Sequence, residues 1–107
     1  MALPVYVFRK HTSSAGRIGI EVYCDGVSFG QVQGGVYFTH ELSPGKHTFI
    51  STDKRFLVEI DAVNGGVYYI EFSLLQRPVG LGSRAVVRIA QVSNQVGEAE
   101  IKGLKPR

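Results

Sequence analysis

Apolar and polar residues alternate along most of this sequence, as expected for strands that bury one face. The clearest case runs from Ile18 to Cys24, where every second residue is apolar. The alternation is as regular from Val67 to Leu75, which we place at the centre of a sheet. The pattern predicts about eight strands. They cover residues 5–10, 18–24, 27–33, 36–42, 46–51, 56–62, 67–75 and 84–92.

Turn residues separate these predicted strands. Asp25-Gly26 is typical of a type I′ hairpin, because both central positions of that turn need positive φ. Similar glycine-containing turns follow at Gly34-Gly35, Ser43-Pro44-Gly45 and Asn64-Gly65-Gly66. We therefore expect successive strands to pair back on one another as an antiparallel meander.

The length of 107 residues, with 44% hydrophobic and 20% charged residues, fits one domain covering residues 1–107. Many short strands joined by tight turns indicate an all-β fold, a single antiparallel sandwich. The segment from Ser93 to Leu104 leaves room for a short C-terminal helix capped by Ser93. We expect the basic residues that follow to form a frayed tail.

Charge and cysteine content exclude few classes of partner and no cellular compartment. The net charge of +3 is a small excess, so it does not indicate a nucleic-acid partner. Cys24 is the single cysteine and is expected to be a buried thiol. The sequence predicts no transmembrane segment, and Met1 to Val7 is too short for a secretory leader. The protein is then cytoplasmic, or it is a mature envelope or periplasmic chain from which a leader was removed.

Candidate metal ligands occur without the paired spacing of a zinc motif. His40 and His47 flank the turn at residues 43–45, and whether they share a face depends on the register of that hairpin. Even then they supply two ligands, so we predict structural histidines, no metal and no cofactor. The candidates considered are His11, Cys24, His40, Glu41 and His47.

Catalytic patterns are equally weak. The sequence has no Gly-x-Ser-x-Gly nucleophile elbow. Glu59, Asp61 and Glu71 could be neighbours on one exposed sheet face, as glycoside hydrolysis would need, but such acids are more typical of a solvated surface. We predict that the protein is not an enzyme.

The segment 76–83 interrupts the alternation and is predicted to be a loop. Apolar residues rimmed by arginines are typical of an interface, so we predict a binding site there. The alternative is that Val79 and Leu81 fold back and close the open end of the sandwich. The predicted binding residues are Arg77, Pro78, Val79, Leu81 and Arg84. A second candidate surface consists of three tyrosines on outward positions, Tyr23, Tyr37 and Tyr69.

Several turn and core motifs resemble a bacterial domain of unknown function that is common in lipoproteins and related to PEGA-type repeats. The motifs are VYCDG from Val22, YF from Tyr37, LSPGKHTF from Leu42 and GVYYI from Gly66. The resemblance covers about residues 5–104. It implies an Ig-like or transthyretin-like β-sandwich, often lipid-anchored in the bacterial envelope, with no established enzymatic activity. The lipobox cysteine of the lipoproteins is not found near the start, and Cys24 lies inside a strand.

Two functions follow from these observations. The first is a non-catalytic interaction or structural module of the bacterial cell envelope, which docks on a protein or glycan through the 76–83 segment or a sheet edge. The second is a small-ligand or carbohydrate-binding domain, with hydrolysis as an option, which uses His40, His47 and the exposed acids.

Overall fold

A computed structural model describes residues 3–11 and 19–107 of the chain. Residues 12–18, which include the start of the second predicted strand, lie outside the described residues. The described part forms nine strands and one helix. The strands are β1 (Leu3–Arg9), β2 (Ile20–Cys24), β3 (Val27–Val32), β4 (Val36–Leu42), β5 (Gly45–Ile50), β6 (Leu57–Ala62), β7 (Tyr68–Val79), β8 (Gly82–Val92) and β9 (Lys105–Pro106), and the helix is α1 (Asn94–Ile101).

The strands form two sheets. Sheet A has the order β8-β7-β1-β4-β9, and sheet B has the order β3-β2-β5-β6. Most neighbouring strands are antiparallel, whereas β1 pairs in parallel with β7 and β9 pairs in parallel with β4. The prediction of an all-β sandwich with a short C-terminal helix is confirmed.

Alternating residues from both sheets meet in one core. In β1 the side chains of Val5 and Val7 are fully buried, as is Ile70 of β7, which lies opposite Val7 in the same sheet. Val22 and Phe49 are fully buried on the facing side of sheet B. Burying a side chain of this size stabilises the fold by about 1.5–3 kcal/mol. The alternation seen in the sequence therefore reflects the surface that holds the sheets together.

The predicted meander is confirmed at one turn and wrong at three. Asp25 and Gly26 have φ of 53° and 83°, and β2 and β3 pair antiparallel across them. At the other three turns the chain crosses to the opposite sheet, because β3 to β4, β4 to β5 and β6 to β7 each connect sheet A with sheet B. Gly35, Gly45 and Gly65 have positive φ at these crossings. A tight reversal of the chain uses positive φ both in a hairpin and at a crossing between two sheets.

Helix α1 packs on the outer face of sheet A. It begins after Ser93, whose Oγ accepts a hydrogen bond from the backbone N–H of Val96 at 3.2 Å. Gly97 faces the ring of Tyr69, and a Cβ at this position would overlap that ring. Within the described residues, no helix has the length and apolar character needed to cross a membrane.

The C-terminal residues are anchored, so the predicted frayed tail is wrong. The backbone N–H of Arg107 donates to the carbonyl of Tyr37 at 2.8 Å. Its guanidinium lies 3.9 Å from the centre of the Phe38 ring and donates to the carbonyls of Phe29 and Gln31. Because β3 belongs to sheet B and β4 to sheet A, one side chain ties the two sheets together at this edge.

Candidate functional site

The predicted loop at residues 76–83 is wrong, because β7 and β8 continue through it. Residues pair in register from Tyr69 opposite Val92 to Val79 opposite Gly82, which leaves a two-residue turn of Gly80 and Leu81. Gly80 has a φ of 59°. Sequence pattern suggested a loop because proline and glycine usually end strands, yet proline is tolerated where a strand has a free edge.

The end of this hairpin extends past the rest of sheet A. β1 pairs with β7 only as far as Phe8 opposite Glu71. Beyond that point β7 pairs only with β8 among the described strands. We call residues 76–85 the β arm. The molecule measures 50 × 28 × 22 Å, and a two-stranded ribbon of this kind contributes to the long dimension.

The tip of the β arm is apolar and exposed. Val79 is 59% exposed and Leu81 is fully exposed, so neither closes the open end of the sandwich. The side chains of Arg77, Pro78 and Arg84 lie outside the described part. Their backbones place Arg77 directly opposite Arg84. The structure thus brings all five predicted binding residues onto one hairpin, and their role in binding stays a prediction.

The β arm and the adjoining parts of β7 and β8 carry positive charge only. Residues 73–90 contain three arginines and no acidic residue. By register Arg77, Arg84 and Arg88 belong to one face of the ribbon, and Arg88 is exposed. Like charges directly opposite each other weaken a strand pair. In the backbone register, two residues of like charge, Arg77 and Arg84, are directly opposite each other.

Asp53 holds the edge of β8 where the arm leaves the sandwich. Its Oδ2 accepts a hydrogen bond from the backbone N–H of Val87 at 2.8 Å. Its Oδ1 accepts from the hydroxyl of Ser51 and the N–H of Arg55. Burial acts to raise the pKa of Asp53, but these hydrogen bonds outweigh it and the pKa lies below its ordinary value.

A polar cluster lies at the turn between β2 and β3. β2 pairs with β5, so the turn residue Asp25 lies beside Thr48. The N–H of Asp25 donates to the carbonyl of Thr48, and the N–H of Thr48 donates to Asp25 Oδ1 at 2.8 Å. The second carboxylate oxygen, Oδ2, lies 2.6 Å from Nδ1 of His47. The bond from Thr48 and then that from His47 lower the pKa of Asp25.

Both ring nitrogens of His47 face acceptors. Nε2 lies 2.7 Å from the backbone carbonyl oxygen of Ser43, opposite the Nδ1 contact with Asp25. The hydrogen bond with Asp25 is the main cause of the raised pKa of His47. The Ser43 hydroxyl is 3.4 Å from Nε2, which gives the order Asp, His, Ser of a hydrolase triad. A ring that donates from both nitrogens has no lone pair to accept a proton, so this triad lacks its general base.

Cys24 completes the cluster from the core side. Its Sγ lies 3.8 Å from Asp25 Oδ2, and its side chain is buried. Burial first, and then the charge of Asp25, raise the pKa of the Cys24 thiol to about 12. The thiol is therefore protonated at neutral pH and is a poor nucleophile. This agrees with the prediction of a buried thiol.

The remaining predicted ligands are separate from this cluster. His40 stacks on the ring of Phe29 at 4.3 Å, which confirms a structural role, and burial is the main cause of its lowered pKa. The predicted hairpin between His40 and His47 is wrong, because β4 and β5 belong to different sheets. His11 lies beside the carbonyl of Gly103 at 3.2 Å, and Glu41 is exposed on β4.

The three candidate acids do not share a face. Glu59 and Asp61 are exposed on β6 of sheet B, whereas Glu71 belongs to β7 of sheet A. Glu71 lies 3.7 Å from the ammonium of Lys10. The alternative in which the three acids are neighbours is therefore wrong, since β6 and β7 belong to different sheets.

The three tyrosines also differ from the prediction. Tyr69 is buried under α1 and stacks on Tyr6 with ring centres 5.0 Å apart. Tyr37 is half-buried on β4. Tyr23 lines an open depression on sheet B, together with Gly26, Ile50, Ser51, Thr52 and Lys54. Of the three tyrosines, Tyr23 is the one that lines this depression.

Comparisons with known proteins do not decide between these surfaces. No family model matches the chain, and searches of curated proteins and of solved structures found no match. The function is therefore argued from the geometry. Sequence reasoning missed Asp25 as a functional residue, because Asp-Gly was already explained as a turn.

Proposed function

We propose that this protein is a non-catalytic interaction module whose β arm docks in a groove on a partner protein. The observation that carries the proposal is the arm itself, a ribbon that extends past its sheet and ends in exposed Val79 and Leu81. A monomer gains no stability from two apolar side chains in water. A groove that buries them would gain from both.

The composition of the arm favours a protein partner with acidic residues around an apolar groove. Arg77 and Arg84 lie behind the apolar tip, and arginine is enriched at interfaces where it meets carboxylates. Residues 76–85 contain no aromatic residue, whereas sugar binding relies on aromatic platforms. Two small apolar side chains bury too little area to hold a protein on a membrane. A protein groove is the occupant that matches both the tip and the charge.

Site-specific photocrosslinking from the tip tests the proposal. A photoreactive amino acid at position 81 should form a crosslink to one protein, which is then identified by mass spectrometry. The same amino acid at position 63 is the matched control, because Val63 is 57% exposed and lies in the connection between β6 and β7. Leu81→Asp combined with Arg77→Ala should abolish capture of the crosslinked protein, and added salt should weaken capture by the wild type.

Several outcomes would contradict the proposal. Equal crosslinking from positions 63 and 81 would mean that contact is not specific to the arm. Unchanged capture by the Leu81→Asp, Arg77→Ala variant, with Val63→Asp as its matched control, would move the interface elsewhere. Binding to anionic vesicles that is lost in the same variant would assign the arm to a membrane surface.

We place this module in the bacterial cell envelope, on the strength of the resemblance in the turn and core motifs alone. The expected outcome of cell fractionation is that the native gene product, detected with an antibody, is found with the envelope. Recovery only in the cytosolic fraction would contradict this location and would leave the docking proposal intact.

The depression beside Tyr23 supports a second candidate function, carbohydrate binding. A tyrosine beside Thr52 and Lys54 combines an aromatic surface with hydroxyl and ammonium groups that bind sugar hydroxyls. Glycan-array binding that is lost in Tyr23→Ala and kept in Leu81→Asp would favour this function over docking by the arm. Absence of glycan binding by the wild type would exclude it.

A further inference from the structure

The cluster of Cys24, Asp25 and His47 combines three different kinds of metal ligand. A thiol sulfur, a carboxylate oxygen and an imidazole nitrogen all lie within 4.8 Å of one another. They are separated by up to 23 residues in the chain and are brought together by the pairing of β2 with β5. Sulfur and nitrogen ligands select zinc-like transition metals over magnesium and calcium, which prefer oxygen alone.

The hydrogen bonds of His47 determine which ring nitrogen faces the cluster as a ligand. Nε2 lies 2.7 Å from the Ser43 carbonyl, an acceptor, so Nε2 carries a hydrogen. Nδ1 then faces Asp25 Oδ2 at 2.6 Å. A nitrogen lone pair and a carboxylate oxygen would repel at this distance unless a cation lies between them. At 2.6 Å only a proton fits between the two atoms, and a metal ion can replace that proton once the atoms have moved apart.

We infer that Cys24, Asp25 and His47 form a binding site for Zn²⁺ or a cation of similar chemistry. Cys24 Sγ, Asp25 Oδ2 and His47 Nδ1 would supply three ligands of a tetrahedral site. Water would supply the fourth, since the side chain of Asp25 is 47% exposed. As the metal binds, the thiol proton and the Nδ1 proton leave to solvent.

The surroundings of the three ligands match those of known metal sites. A metal-bound histidine usually donates its other N–H to a carbonyl or carboxylate, as His47 does to Ser43. The free oxygen of Asp25, Oδ1, is held by the N–H of Thr48 at 2.8 Å. Both ligands are thus oriented by backbone groups of the connection into β5 and of β5 itself.

The ligand atoms must move before a metal ion fits between them. Ligand atoms around tetrahedral zinc lie about 3.3–3.8 Å apart, given bonds of about 2.0–2.3 Å. Cys24 Sγ and Asp25 Oδ2 are already separated by 3.8 Å. Asp25 Oδ2 and His47 Nδ1, at 2.6 Å, must separate by roughly 1 Å. We expect rotation of the half-exposed Asp25 carboxylate, with a longer bond from the N–H of Thr48, to provide that movement.

Titration of the untagged, reduced protein with Co²⁺, as a spectroscopic probe for zinc, tests the site. We expect a near-ultraviolet sulfur-to-cobalt charge-transfer band that saturates at one equivalent and disappears when Zn²⁺ is added. Cys24→Ser should lose the band, and Asp25→Asn and His47→Gln should weaken Co²⁺ binding tenfold or more. Asparagine tolerates the positive φ of position 25, so that variant keeps the turn. His40→Gln, the matched control, should bind as the wild type does.

The inference is overturned if the wild type shows no charge-transfer band at one equivalent. It is also overturned if Asp25→Asn binds Co²⁺ as tightly as the wild type, or if His40→Gln weakens binding as much as His47→Gln. His47→Gln also removes two hydrogen bonds, so weaker Co²⁺ binding by this variant does not by itself identify His47 as a ligand. The thermal unfolding midpoint of the wild type, measured with and without metal, is therefore a second test of the site. Saturating Zn²⁺ should raise the midpoint of the wild type and not that of Cys24→Ser. An unchanged wild-type midpoint would contradict the site.

Discussion

Asp53 lies between strands, yet its carboxylate supports the exposed edge of β8. The N–H of Val87 points away from β7, and without Asp53 it would lack its hydrogen-bond acceptor. Edge strands with unpaired N–H groups tend to pair with other chains. Asp53 thus provides the acceptor for the edge N–H of Val87 at the point where the β arm begins.

Replacing Asp53 with asparagine should lower the free energy of unfolding at pH 7 by about 1–2 kcal/mol, since a hydrogen bond to a charged group is lost. The pKa of Asp53 is lower in the folded state than its ordinary value of about 4. The stabilising contribution is therefore present above pH 4 and is lost as pH falls through the folded pKa. Chemical denaturation from pH 7 to pH 3 should show the difference between variant and wild type shrinking in acid. A difference independent of pH would show that the charge of Asp53 is not involved.

The contact between Asp25 and His47 could not be predicted from the sequence pattern. The alternation around Asp25 predicted the strand and the turn, but it contained no information on which later strand would lie beside them. His47 is 22 residues away, and it reaches Asp25 because β2 pairs with β5 in sheet B. A period of two identifies a strand and its faces, whereas its neighbours are decided by packing of the whole core.

Strand bounds are the part of the fold that the sequence predicts best. The strand Val36–Leu42 is observed with the predicted bounds, and the other predicted strands overlap those observed within the described residues. Glycine turns were less informative, because the same positive φ serves the hairpin at Gly26 and the crossing at Gly35. Tyr69 was expected on an exposed face, but it is buried there between helix α1 and the ring of Tyr6.

Gly97 allows α1 to lie directly against sheet A. Gly97→Ala would place a methyl group in the volume of the Tyr69 ring, so we expect a loss of about 1–3 kcal/mol despite the better helix propensity of alanine. Gly103→Ala is a suitable control, since a Cβ there meets only one backbone atom at 3.9 Å. Thermal unfolding of both variants checks the prediction. Equal stability of Gly97→Ala and wild type would mean that helix and sheet are not in close contact.

Arg107 ties β3 to the β4 edge through its planar guanidinium. Lysine keeps the charge but cannot donate in a fork to the carbonyls of Phe29 and Gln31. We therefore expect Arg107→Lys and Arg107→Ala to lower the free energy of unfolding by similar amounts, about 1 kcal/mol. Lys105→Ala, two residues earlier in β9, should change it by less than about 0.5 kcal/mol. If Arg107→Lys retains full stability in urea denaturation, charge alone accounts for the contact.

The whole molecule combines a rigid sandwich with an extended arm. Val5 and Val7 lie in β1, which is hydrogen-bonded on both sides by β4 and β7. In the described part, each strand of the β arm pairs only with the other strand of the arm, and the tip is exposed. The two regions should therefore open with different free energies, although they belong to one sheet.

Native-state hydrogen exchange should separate these regions. Amides of Val5 and Val7 should exchange with the free energy of global unfolding, whereas amides of residues 76–85 should exchange at least about a hundredfold faster. The measurement is exchange followed by NMR at neutral pH. Equal protection in the arm and in β1 would show that the arm is held by contacts as extensive as those of the core.

The position of β1 also has consequences for synthesis on the ribosome. β1 is translated first, but one of its two neighbours is β7, whose Tyr68 pairs with Val5 about sixty residues later. While β2 to β6 emerge from the ribosome, the edge of the apolar strand β1 that faces β7 has no partner strand. Sheet A closes only when β7 leaves the exit tunnel, so we expect the apolar side chains of β1 to stay exposed during most of synthesis.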